Sequence, residues 1–534
     1  MAKRRLSLAL LLILLGGLVL FPLWRVAFLP LLDYPNHLAR AFVLTHLRDP
    51  AFRFQQLYAA DWGLYPYLTA DLSLLGLERI FPIELAGRIF LSLCVLAVPL
   101  SAWFFLRQAN PGADPQACWL PLLAHHAFFL YGFLSFYLGL AFCFFALGLW
   151  LRCLAAPRAA RWVAAGIAFL ALYFTHLLCF TLAGAVCAAY CVAGRVKPRA
   201  ILHSALLFLP GALLFLRWRS LGGGGVSDIT FLSLREKFAN LPVAPEGYSG
   251  WLNLITLIAL AVFFLAAAWR NAEFRWEFRW LGITGILFVA YWLLPWTYGD
   301  GAFLDIRVLP VVFVTALASV RFGRRGWKLA PLAVFIIVAR AASVTQHFAA
   351  WQPELAGLAR SFDAIPHNAR VLPVVETEEE DPARRPFAHF WAYGVIRRGW
   401  LSPYLFHNEG LVPLRIRDAA YAPEGFWDLH YEETPTWDLV QRDYDYVWAY
   451  NVPRFSAALE AIGERTYVSG SLVVFRLSKT SRAPSSTPAS FAWPQRRKST
   501  PPGSYFVAVP GQLAPLHRDL YSERLVGGRR RPRP

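Results

Sequence analysis

Asp33, His37 and Arg40 stand at i, i+4 and i+7 in Asp33-Tyr34-Pro35-Asn36-His37-Leu38-Ala39-Arg40. On a helix they share one face, so an acid, an imidazole and a guanidinium converge. These are the residue types of proton transfer and anion binding. The same stretch also fits a plainer reading, in which Asp33 is an N-cap, Pro35 opens a helix and the rest is a solvated amphipathic face.

Other ionisable residues sit within or at the ends of strongly apolar runs, where each costs free energy and asks for a reason. They are His176, Arg217, Arg219, the pair Asp305 and Arg307 in Phe303-Leu304-Asp305-Ile306-Arg307-Val308-Leu309-Pro310, and Arg340. A ring of Arg and His at headgroup depth suits a lipid-linked phosphate, because guanidinium grips phosphate oxygens in pairs. Alternatively each arginine snorkels to the interface alone, which is the better account of Arg217 and Arg219. His125 and His126 read as core histidines, and Asp61 joins the substrate-binding candidates. There is no Walker loop, no paired Cys or His metal spacing and no Gly-x-Ser-x-Gly.

The elements that must position these groups are membrane helices. The 534 residues are 57% hydrophobic and 16% charged, with a mean hydropathy of +0.42. Soluble domains run at roughly 45–50% apolar and about 25% charged. A net charge of +18 could suggest nucleic acid, but the arginines cluster in short loops between apolar runs, which is a topology signal. All seven cysteines lie in or beside apolar segments, so they read as packing residues without disulfides or metal spacing.

In chain order, Lys3-Arg4-Arg5 and the run 6–24 read as a retained first span with a cytoplasmic N-terminus. Residues 25–83 form a long outer loop with a second amphipathic segment, 65–81, lying on the bilayer. Further spans fall at 83–106, 119–134, 136–151, 162–176, 177–193, 201–217, 251–269, 281–297, 303–320 and 329–348, about eleven in all. Loops with a flexible Gly run at 222–225 and with Gly299-Asp300-Gly301 face outward, and the basic loops face inward. From about residue 349 the composition is that of a soluble domain. Strands at 370–375, 444–450 and 471–477, with a helix at 455–462, predict a small α/β domain over 349–478, outside the membrane. The acidic run 376–381 is a solvated loop, and 479–534 is a disordered tail.

This architecture resembles the GT-C superfamily of multi-pass glycosyltransferases that use polyprenyl-phosphate sugars. Tyr65-Pro66-Tyr67-Leu68 followed by Phe81-Pro82 and Glu84-Leu85-Ala86-Gly87-Arg88 is similar to their second surface helix leading into the next span. Asp305 to Pro310 resembles their late "Arg then Leu-Pro" element. Ile365-Pro366-His367-Asn368-Ala369-Arg370-Val371-Leu372 and Tyr444-Asp445-Tyr446-Val447 look like the α/β domain that bacterial members carry. The resemblance implies Asp33 as catalytic carboxylate in a wet loop, ionised without special burial, with His37 and Arg40 orienting it. It implies Arg307, with His176 and Arg340, on the departing phosphate, and a glycan, lipid or protein acceptor at the outer face of the cytoplasmic membrane. Many members carry two adjacent acids where this chain has Asp33-Tyr34, so a divalent metal cofactor stays open. Two alternatives stand beside this reading: a transporter or flippase of a lipid-linked substrate, and a non-catalytic assembly subunit.

Overall fold

The computed structural model describes residues 2–112, 115–194, 196–221, 229–243, 247–268, 275–298, 301–375, 385–407, 410–417 and 437–478. The Gly run 222–225, Gly299-Asp300, the acidic run 376–381 and the tail from 479 lie outside the described residues. The helices are α1 (Ala2–Arg25), α2 (Tyr34–Thr45), α3 (Leu68–Glu78), α4 (Ile83–Ala109), α5 (Ala127–Leu130), α6 (Leu134–Ala155), α7 (Ala159–Thr175) and α8 (Leu177–Ala193). They continue as α9 (Pro198–Ser220), α10 (Leu234–Asn240), α11 (Gly250–Ala268), α12 (Phe278–Leu293), α13 (Leu309–Ala318), α14 (Ala330–Arg360), α15 (Ala392–Arg398), α16 (Trp437–Asp443) and α17 (Ser456–Ile462). Among the described residues, α4, α6, α9 and the helical stretch containing α14 are long and apolar enough to cross a membrane, and six further helices are apolar but shorter. The fold is that of a polytopic helical membrane protein.

The expected span at 303–320 shortens to the ten residues of α13 behind a 3-10 turn, and another expected span is not one helix. Residues 119–134 form a 3-10 helix, Gln116–Ala124, then a break at His125-His126, and then the single turn of α5. Pro121 removes a backbone donor from the first piece. The His126 side chain accepts from the Phe128 N–H and so starts a new turn. His125 is satisfied by the Val19 carbonyl at 2.8 Å. All seven cysteines are free and buried.

Packing is densest around α4 and α6, with α7 and α8 against α6 and α1 against α14. The short helices α2 and α3 pack on each other and on α4, at the end of the bundle that also meets the C-terminal layer. Leu68, Ala70, Asp71 and Leu74 of α3 are buried, while Leu72 on its other face is exposed.

Among the described residues the C-terminal layer is a four-stranded sheet in the order Gly463–Ser469, Leu472–Leu477, Tyr446–Tyr450, Val371–Val375. The last pair is parallel and the others antiparallel. Strand Gly463–Ser469 was not expected from the sequence, because its exposed charged residues hide the alternation. Helix α14 runs 31 residues, about 46 Å at 1.5 Å per residue, well beyond the ~30 Å of a hydrocarbon core. Its far end enters the C-terminal layer directly: Tyr450 donates to Glu354 at 2.6 Å, Tyr467 to the Gly357 carbonyl at 3.1 Å, and Trp448 to Ser361 at 2.8 Å.

Candidate active site

Asp33 is placed by three elements. The exposed carbonyls at the end of α1 need donors. Arg88 of α4 supplies them, reaching the Leu23 and Val26 carbonyls at 2.8 Å and Ala27 at 2.7 Å. Gln352 of α14 accepts from the Ala27 and Phe28 N–H groups and donates to the Phe28 carbonyl. The chain then runs against the turn after α5, where the Asp33 N–H donates to the Tyr131 carbonyl at 3.0 Å. Gly132 makes that approach feasible. Its φ is +71°, and a Cβ there would lie 2.8 Å from the Tyr34 nitrogen and 3.1 Å from that of Asp33.

Asp33 occupies the N-cap position of α2, but its side chain makes no capping bond. Its Oδ1 is buried without a hydrogen-bond partner among the described residues. The expectation of a wet loop is therefore corrected, because Asp33 is only 5% exposed. Burial pushes its carboxyl well above the usual carboxylate range, and Arg307, then Arg40, pull it back.

Arg307 reaches the same place through an aromatic bridge. Tyr131, whose carbonyl holds Asp33, stacks on Phe303 at 5.6 Å, and the Phe303 carbonyl accepts from the Arg307 N–H at 3.2 Å. Phe303 has φ +61°, a conformation that costs a bulky residue about 1–3 kcal/mol and persists where packing enforces it. Here Trp296 packs edge-on at 4.4 Å. The Arg307 guanidinium lies over Phe133 at 4.9 Å and Phe136 at 5.2 Å. Its Nη1 is 3.3 Å from His176 Nε2. An arginine only donates, so that ring nitrogen accepts and the imidazole proton is assigned to Nδ1. His176 fills the joint between α7 and α8, edge-on to Tyr67 at 5.0 Å. Gly139 of α6 leaves the room, since a Cβ there would come within 2.8 Å of the His176 Cβ.

The remaining candidates are engaged elsewhere. Arg40 donates twice to Asp71 of α3, at 2.6 and 3.0 Å, in a pair almost wholly buried. It clamps α2 to α3 and acts on Asp33 only through its field. His37 points its ring at Phe406, 5.2 Å away, and burial lowers its basicity well below the usual imidazole value. Asp61 pairs with Arg415 and accepts from Tyr65 at 2.9 Å, joining the first loop to the C-terminal layer. Arg340 bonds Asn253 at 3.0 Å on α11 and approaches Thr256 at 3.5 Å.

Asp305 does not pair with Arg307, two residues away in the same turn. It caps that turn through the Ile306 N–H at 2.8 Å, and its other oxygen meets Lys237 of α10 at 3.1 Å. Lys237 also donates to the Tyr291 and Leu294 carbonyls. Replacing Lys237 by Met leaves a buried carboxylate alone, with an expected loss of about 3–5 kcal/mol. Denaturant unfolding in detergent measures it, and the double change Lys237→Met with Asp305→Asn should recover most of the loss.

No protein-family model matches the chain, and no curated protein matches it by sequence. Solved structures do match by shape. The crystal structure of ArnT from Cupriavidus metallidurans bound to undecaprenyl phosphate aligns with a TM-score of 0.54, over 89% of this chain and 98% of that one, at 10% identity. ArnT in the apo state gives 0.50, over 88% and 98%, at 11% identity. The fold is that of ArnT. The multi-pass helical bundle with a small C-terminal sheet expected from the sequence is present.

Within this ArnT fold the described residues do not fit a divalent cation. A hard cation takes several oxygen ligands, and no group of three His, Cys, Asp or Glu is assembled for one among the described residues. No step below is routed through a metal. The residues that sequence reasoning missed are Lys237, the role of Asp71, and His389. His389 lies in Pro386-Phe387-Ala388-His389-Phe390-Trp391, where nothing but its aromatic surroundings marks it. Its Nε2 stands 3.5 Å from Asp33 Oδ1.

Proposed function

We propose that this chain is a membrane glycosyltransferase that moves a sugar from a polyprenyl-phosphate donor to a hydroxyl-bearing acceptor, at the membrane face that carries α2. The observation that carries this reading is a buried, uncapped carboxylate linked through the Tyr131–Phe303 ring pair to an arginine that rests on His176. The ArnT fold supports it, since that protein was crystallised with undecaprenyl phosphate. Asp33 accepts the acceptor hydroxyl proton as the acceptor oxygen bonds to the sugar's anomeric carbon. The anomeric bond to the phosphate oxygen breaks through an oxocarbenium-like state. The electron pair stays on the phosphate, where Arg307, oriented by His176, meets the developing charge. Arg40, Asp61, Asp305 and Arg340 hold the frame. The C-terminal layer lies beyond the membrane as a domain over 349–478 and covers α2 through α15.

The test uses the purified full chain in nanodiscs with a panel of undecaprenyl-phosphate monosaccharides and mixed envelope acceptors. Acceptor-dependent release of undecaprenyl phosphate supports the proposal. Movement of the intact donor across the bilayer without bond cleavage refutes it in favour of a flippase.

A further inference from the structure

His389 belongs to the C-terminal layer, in the short turn that leads into α15, and α15 packs on α2. Its ring is buried, with Phe406 edge-on at 5.3 Å. Its neighbour Asn36, on the first turn of α2, is fully buried and its amide is fixed by backbone on both sides. The Asn36 oxygen accepts from the Phe406 N–H at 2.9 Å, and its nitrogen donates to the Tyr404 carbonyl at 3.0 Å. The same nitrogen faces His389 Nδ1 at 3.4 Å. An amide N–H opposite Nδ1 makes Nδ1 the acceptor, so the neutral imidazole carries its proton on Nε2. That proton points at Asp33, whose Oδ1 lacks a hydrogen-bond partner and is 3.5 Å away. The separation is longer than a made hydrogen bond, and such contacts tighten when substrate closes a site.

We propose that His389 is a positioning residue for Asp33, offering Nε2–H to its carboxylate in a tautomer set by Asn36. The C-terminal layer thereby completes the site. This rests on the sugar-transfer reading for its purpose, though its geometry is independent of the substrate. A hydrogen bond donated to the ionised form favours that form. The other charged or titratable groups facing this pair are Arg307 from the turn before α13, and Arg40 and His37 from α2.

The experiment follows the protonation of Asp33 by pH-titrated infrared difference spectra of the full chain in nanodiscs, with Asp33→Asn as the blank. His389→Phe keeps the ring contacts and removes the donor. His389→Ala removes both, and His389→Gln restores an N–H. Loss of the donor should raise the Asp33 midpoint by about one unit in the Phe and Ala variants, with Gln recovering part of it. Turnover at neutral pH should fall roughly tenfold with donor KM little changed, and the acid limb of the pH profile should move upward with the midpoint. A midpoint unmoved in whichever of the Phe and Ala variants retains the wild-type melting temperature overturns the proposal. So does an equal shift in the Gln variant. If the midpoint moves as expected while no sugar is transferred, the sugar-transfer reading fails and the positioning stands.

Discussion

Asp33→Asn should abolish sugar transfer, by ~10²–10⁴-fold in kcat, while the protein melts no lower than wild type. The substitution keeps size and shape but removes the group proposed to take the acceptor proton. The lost charge takes no cap with it and no hydrogen bond at Oδ1 among the described residues, leaving only its field on Arg307 and Arg40 to be missed. The sign of the stability effect follows from burial. The folded-state pKa of Asp33 is raised above its unfolded value, with desolvation as the largest cause. Its contribution to stability is therefore fully present below the unfolded carboxylate value and is lost as pH rises through the raised folded value. Asn does not titrate. The melting temperature of Asp33→Asn relative to wild type should thus climb across that window, as a pH series in detergent would record. Wild-type activity should show an acid limb above the ordinary carboxylate range, since the base works only when ionised. A variant that loses activity and melts early instead would reassign Asp33 to the frame.

Arg307→Ala should cost ~10²–10³-fold in kcat/KM for the polyprenyl-phosphate donor, the range seen when a preorganised donor to developing charge is removed. Arg307→Lys should recover only part of this. A lysine restores the charge but not the planar fork that binds phosphate oxygens in pairs, nor the stacking over Phe133 and Phe136. Steady-state kinetics with varied donor separates the outcomes. A loss confined to KM would mean that Arg307 binds the phosphate equally in ground and transition states, and a loss in kcat that it acts mainly as the bond breaks. If both variants turn over normally, the phosphate sits elsewhere and the proposed site is wrong.

The bundle was legible because apolar runs of bilayer length, closed by basic loops, are what a spanning helix demands of a sequence. The sheet was legible because the buried strands 371–375, 446–450 and 472–477 keep their apolar faces. The segment at 116–130 was not, since hydropathy cannot tell a helix from a tight 3-10 coil broken by a histidine pair. His176 and Arg307 stood out as ionisable residues in apolar runs, and Asp33 by its spacing with His37 and Arg40. Their partners did not. Asp305 and Arg307 are neighbours in sequence, yet a turn points them apart, one to Lys237 and one to His176. Arg40 shares a helical face with Asp33 but is claimed by Asp71 on another helix. His389 arrives from a soluble-looking stretch with no spacing to betray it. Periodicity reports which residues share an element, whereas a site is made by residues that do not.

Helix α14 passes from the bundle into the C-terminal sheet without a linker, and the sheet's tyrosines and a tryptophan grip its final turns. A lid that swings needs a loose joint at its base, and here the base is a rod. Arg397 of α15 adds a second attachment through a paired contact to Glu84 at 2.8 and 2.9 Å. The C-terminal layer is thus fastened to the bundle at separate places on α14 and α4 rather than hung from a single hinge.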